Sequence, residues 1–73
     1  MESTVLISGL QTQEQKVQLA TRLQNMIGVE SVEIDMDAQK VKLRYQTPAN
    51  LNTLEKEIYD AGYAVINSYK GEN

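Results

Sequence analysis

The chain has no cysteine and no histidine among its 73 residues. No disulfide can form, and a metal site is left with carboxylate, amide, hydroxyl and thioether ligands. Soft cations favour thiolate and imidazole, so a conventional soft-metal or zinc centre is excluded. Catalysis through a thiol or an imidazole goes with it, and no serine stands in a nucleophile-elbow setting. Tryptophan and phenylalanine are also missing, which leaves four tyrosines as the whole aromatic content. Basic residues are few and scattered, 7 Lys and Arg against 10 Asp and Glu. Nucleic-acid binders gather positive charge on one face, so no nucleic-acid partner is expected. No apolar run approaches the roughly 20 residues that span a bilayer, so no membrane segment is expected either. The opening stretch, MESTVLISGL, carries an acid and no basic residue before its short apolar run, unlike a secretory signal. The cytoplasm is the expected location, and a cysteine-free chain fits a reducing compartment.

What is present is patterned for a single domain over residues 1–73. A chain this short buries only about 60% of its unfolded surface, so the core is thin. Val5-Leu6-Ile7, stopped by Ser8-Gly9, reads as a strand with Val5 and Ile7 on one face. Thr12-Gln13-Glu14-Gln15 has the spacing of a capping box and opens a helix, with Glu14 placed where the helix dipole favours an acid. Val17, Leu19, Ala20, Leu23, Met26 and Ile27 form the predicted apolar stripe, and Gly28 suits the helix stop. Val29 to Met36 and Lys40 to Tyr45 alternate as two strands joined by a turn at Asp37-Ala38-Gln39. Their outer face sets Glu33 and Asp35 near Lys42 and Arg44, an opposite-charge pattern that helps fix register. Asn50 is the predicted cap of a second helix, which aligns Leu51, Leu54, Ile58 and Ala61 and ends at Gly62. Tyr63, Val65 and Ile66 make a last short strand, with an ordered core expected over about 3–67 and a polar tail over 68–73.

The order β-α-β-β-α-β predicts an α+β, ferredoxin-like sandwich. Right-handed crossovers give one four-stranded antiparallel sheet, first and third strands central, with both helices on one face.

At Val5-Leu6-Ile7-Ser8-Gly9-Leu10 the chain resembles the heavy-metal-associated (copper-chaperone) family. The resemblance continues through Gly28-Val29, Val32, Ile34 and Met36, then Val41, Leu43 and Tyr45, and ends in Gly62-Tyr63-Ala64-Val65. In that family a methionine and a Cys-x-x-Cys pair follow the glycine, and the thiolates hold a soft ion at the start of the first helix. Here Leu10 stands at the methionine and Thr12 and Gln15 at the two cysteines. A neutral hydroxyl and a neutral amide do not replace two thiolates, so the resemblance implies the scaffold without its metal site or any cofactor.

Each singled-out residue has a plain structural role beside any functional one. Thr12 and Gln15 cap a helix; the alternative is an anion site on the N–H groups of Gly9 to Glu14, which Glu14 opposes. Leu10 is expected in the core, and an exposed Leu10 would instead be a docking knob. Met26 and Met36 fill gaps in apolar stripes. Tyr63 reads as a half-buried ring with its hydroxyl in water, placed by the resemblance beside the first loop. Glu55, Glu57 and Asp60 read as a solvated face. The resemblance then implies a non-enzymatic interaction module of metal homeostasis, whose partner is a metal-transporting ATPase or a regulator. Its candidate docking residues are Leu10, Gln11, Thr12, Gln15 and Tyr63. The alternatives are a divergent metal or small-ligand binder using backbone N–H groups or Met sulfurs, and an acylphosphatase-type enzyme, which would need an arginine in the first loop. A monomer is expected, with weak self-association if Leu6 and Ile66 share the open sheet face.

Overall fold

The computed structural model describes residues 1–70. It contains β1 (Glu2–Ser8), α1 (Gln13–Gln24), β2 (Val29–Asp35), β3 (Lys40–Tyr45), α2 (Leu51–Asp60) and β4 (Ala64–Lys70). The strands form one antiparallel sheet in the order β2-β3-β1-β4, so β1 and β3 are central. The expected βαββαβ fold, with two helices on one face of the sheet, is the observed one.

Alternation along the central strands decides which face is covered. β1 buries Ser3, Val5 and Ile7, and β3 buries Val41, Leu43 and Tyr45. Leu19 and Leu23 from α1 and Leu54 and Ile58 from α2 close over them, all 1% exposed or less. Leu10, Ala49 and Tyr63 complete the core from the loops. Burial of a Val, Leu or Ile side chain stabilises by roughly 1.5–3 kcal/mol, so this small set supplies most of the drive to fold.

Polar contacts finish the assembly. Ser3 is 2% exposed, and its hydroxyl and that of Tyr45 share a hydrogen bond of 2.7 Å. Neither hydroxyl is left unsatisfied, which matters because an unpaired buried polar group is costly. Arg22 of α1 pairs with Glu57 of α2. Ser68 donates to Glu55 at 2.5 Å, joining β4 to α2. Gly28, at φ +97°, lies so close to the loop before α2 that a Cβ there would sit 2.4 Å from the Gln46 carbonyl oxygen.

Four expectations are corrected. Helix α1 ends at Gln24 with Asn25 as its cap, short of the predicted stripe. Ile27 therefore falls in the following turn, where helical period no longer applies, and is 79% exposed. Val17 is 52% exposed, because it lies about 160° from Leu19 and about 120° from Leu23 round a helix of 3.6 residues per turn. On the outer sheet face Glu33 is opposite Lys42 and Asp35 opposite Lys40, while Arg44 turns to Glu2 across β1 at 2.5 Å. That pair holds the Glu2 carboxyl below its ordinary pKa, by hydrogen bond first and charge second, and raises that of Arg44 for the same reasons. Last, β4 runs to Lys70: the polar stretch expected to fray from Ser68 pairs with β1, Ser68 opposite Val5 and Lys70 opposite Ser3. Residues 71–73 of that expected tail lie outside the described residues.

Candidate functional site

The five candidate docking positions lie at one end of the molecule, at the mouth of α1. After β1, Gly9 turns the chain at φ +102°, and a Cβ there would come within 3.7 Å of the Tyr63 ring. This turn sends Leu10 into the core, where it is 4% exposed. Gln11 and Thr12 return to the surface, and Thr12 caps α1 in an extended conformation, φ −125° and ψ 156°.

The capping box forms in both directions. The Gln15 amide N–H donates to Thr12 Oγ1 at 3.1 Å. Gln15 Oε1 in turn accepts from the N–H groups of Gln11 at 2.8 Å and Thr12 at 3.1 Å. The two residues standing at the family's cysteine positions are thus occupied with each other and with the loop backbone.

A third residue, Gln39, completes the loop. It sits at the end of the β2–β3 turn with φ +53°, a left-handed conformation rare outside Gly and Asn. Its side chain reaches across to Leu10: Oε1 accepts from the Leu10 N–H at 3.1 Å, and Nε2 donates to the Leu10 carbonyl at 2.8 Å. Nε2 also donates to the Met36 carbonyl at 2.7 Å. The Gln39 carbonyl itself accepts from the Ile7 N–H at 2.9 Å. Sequence alone places Gln39 in the turn and gives it no further role. The available signal was a residue with a long amide side chain where a hairpin turn favours Gly or Asn.

Tyr63 is 8% exposed, so its ring is buried where a half-buried one was expected. It follows Gly62 and packs over Gly9. A shallow hollow lined by Tyr59, Asp60, Gly62, Tyr63 and Ala64 opens beside it. Of the five candidate docking residues, then, Leu10 and Tyr63 are core members that shape the surface from below. Gln11 and Thr12 are exposed and Gln15 half-buried.

The donor set at this end does not suit a soft cation. It offers amide and hydroxyl oxygens already engaged in hydrogen bonds, and neither thiolate nor imidazole. Met26 and Met36 are half-buried and pack against the core from a helix end and a strand end. Among the described residues no group of three or more Asp and Glu is placed to hold a metal ion. Of the N–H groups at the helix mouth, those of Leu10, Gln11, Thr12 and Gln15 have internal acceptors, and the Glu14 carboxylate opposes an anion at the first helical turn. Arg22 and Arg44 lie elsewhere, paired with Glu57 and Glu2. Glu57 thus carries an interhelical ion pair, Asp60 pairs with Lys56 at 3.0 Å, and Glu55 accepts from Ser68.

A small antiparallel βαββαβ sandwich with its first loop over a buried tyrosine is the architecture expected of a heavy-metal-associated domain. The model of that family matches residues 4–64, and the chain belongs to it. Among solved structures, one described as CsoZ metallochaperone is 46% identical, with a TM-score of 0.89 over 92% of this chain and 97% of that one. One described as CopZ metallochaperone is 21% identical, with a TM-score of 0.87 over 90% of this chain and 100% of that one. A copper binding domain from HMA7, a P-type ATPase, is 17% identical, with a TM-score of 0.83 over 93% of this chain and 97% of that one. The last two show the fold alone. No curated protein matches the chain in sequence. Among the described residues no helix is long and apolar enough to cross a membrane.

Proposed function

We propose that this domain is a non-enzymatic interaction module of metal homeostasis that docks through its first-loop end and carries no metal there. One observation carries the reading: Thr12 and Gln15, at the two thiolate positions of the family, are locked together as a helix cap. Neither supplies the anionic sulfur that Cu(I) prefers. What remains of a chaperone is its shape, and the use of shape alone is to be recognised.

The partner that fits is the metal-binding domain of a metal-transporting ATPase, or a regulator that reads the same face. Gln11, Thr12 and Gln15 would form the contact, supported by Leu10 and Tyr63 beneath. The domain would act as a monomer in the cytoplasm. An acylphosphatase-type activity lacks its arginine at the loop, and a carrier of anions lacks free N–H groups along Leu10 to Thr12.

Titration of the purified domain with Cu(I) against a competing chelator tests the central claim. The expected result is no stoichiometric binding. One tightly held copper per molecule, surviving the chelator, overturns it. Backbone amide shifts on adding an ATPase metal-binding domain should cluster at residues 9–15 and 63, and their absence at high partner concentration overturns the docking surface.

A further inference from the structure

We infer that Gln39 is the positioning residue of the docking face, a clasp that holds the first loop in one shape without any ligand. Three observations carry it. First, its side-chain amide meets both the N–H and the C=O of Leu10, at 3.1 and 2.8 Å. A neighbouring antiparallel strand would bond a residue in the same two-point way. The side-chain orientation is fixed by chemistry: with O and N exchanged, an acceptor would face the carbonyls of Leu10 and Met36.

Second, the backbone at this position argues against the residue that occupies it. At φ +53° the chain favours Gly or Asn. Gly has no side chain, and Asn is a methylene shorter. Glutamine pairs an amide with the greater reach, and its presence against backbone preference marks the side chain as the reason.

Third, the clasp carries the β1–β3 pairing, which ends with Leu6 opposite Lys40 and the Ile7 N–H on the Gln39 carbonyl, onward to the loop at Leu10. Residue 39 is 29 positions from Leu10 along the chain. Through it the exposed turn residues Asp37 and Ala38 are fixed relative to Gln11 and Thr12. With Gln15 gripping the N–H groups of Gln11 and Thr12 from the helix side, the loop is held from both flanks. The docking face is therefore a composite of the first loop and the β2–β3 turn. Only this consequence for docking rests on the function proposed above; the clasp is a property of the free domain.

Amide hydrogen exchange by NMR on the free domain tests it, using Gln39→Ala and Gln39→Gly. In both variants exchange at the Leu10 amide should rise by about tenfold, while Leu19 and Leu23 of α1 stay within about twofold. In the parent domain the side-chain NH₂ protons of Gln39 should exchange more slowly than those of exposed Gln11, Gln13 and Gln18. Continued protection of Leu10 in Gln39→Gly would show that left-handed backbone geometry suffices, and overturns the clasp. So does an equal rise at every amide, or a Gln39 NH₂ that exchanges like the exposed ones. A clasp that passes these tests in a domain that binds no partner overturns the docking reading alone.

Discussion

A pair of buried hydroxyls reinforces the backbone pairing of the first strand with the end of the third. Ser3 and Tyr45 bond at 2.7 Å within the core, 42 residues apart in the chain. Tyr45→Phe removes one partner and leaves the Ser3 oxygen buried with none. That should cost about 1–3 kcal/mol, because the remaining group loses water without gaining a replacement. Thermal denaturation should show a midpoint lower by about 4–8 °C for each kcal/mol in a domain of this size. The double variant Ser3→Ala with Tyr45→Phe should recover part of the loss, since neither side then carries an unpaired polar atom. Ser3 gave no sign of this in the sequence, where a lone serine in an N-terminal stretch looks like surface. The apolar positions were legible for the opposite reason. Val5, Ile7, Val41, Leu43, Leu54 and Ile58 repeat at the strand or helix period, and period alone assigns them a face.

Among the elements, the helix starts and the end of α2 at Gly62 were readable and the end of α1 was not. Thr12 with Gln15, and Asn50 as the second cap, are local patterns spanning four residues or fewer, and local bonds follow from local sequence. The structure adds Thr53 as the reciprocal partner of Asn50. The end of α1 is set by tertiary space. The chain must turn at Gly28 hard against the Gln46 carbonyl, which no helical period reveals. β4 was underestimated for a similar reason: Ser68, Tyr69 and Lys70 are held by pairing with β1 and by Glu55, not by apolar content of their own. At this scale the cap of α1 is the element to test. Thr12→Ala should lower stability by about 0.5–2 kcal/mol in urea denaturation, leaving the slope unchanged. If the slope falls as well, the variant has altered compactness and the effect is not a lost cap.

For the molecule as a whole, the scaffold and its cargo chemistry are separable. The family's fold survives over residues 4–64 while the thiolate pair is missing. Restoring it by Thr12→Cys with Gln15→Cys should yield a domain that takes up one Cu(I) in the chelator competition in which the parent takes none. A double variant that folds and still fails to bind would mean that the scaffold has diverged from metal carriage beyond those two positions. The site was half-legible for a physical reason. The absence of sulfur and imidazole is read directly from composition, whereas the fastening of the loop by Gln39 depends on a contact between distant segments.

That fastening is made of carboxamides, peptide groups and one hydroxyl. None of these ionises between mildly acid and mildly alkaline solution, and none is altered by thiol oxidants or by chelators. A pair of thiolates at the same place would be open to oxidation and to metal binding. Here the same end of the molecule has no thiol to oxidise and no thiolate to load, so its outline is set by amide and hydroxyl bonds alone.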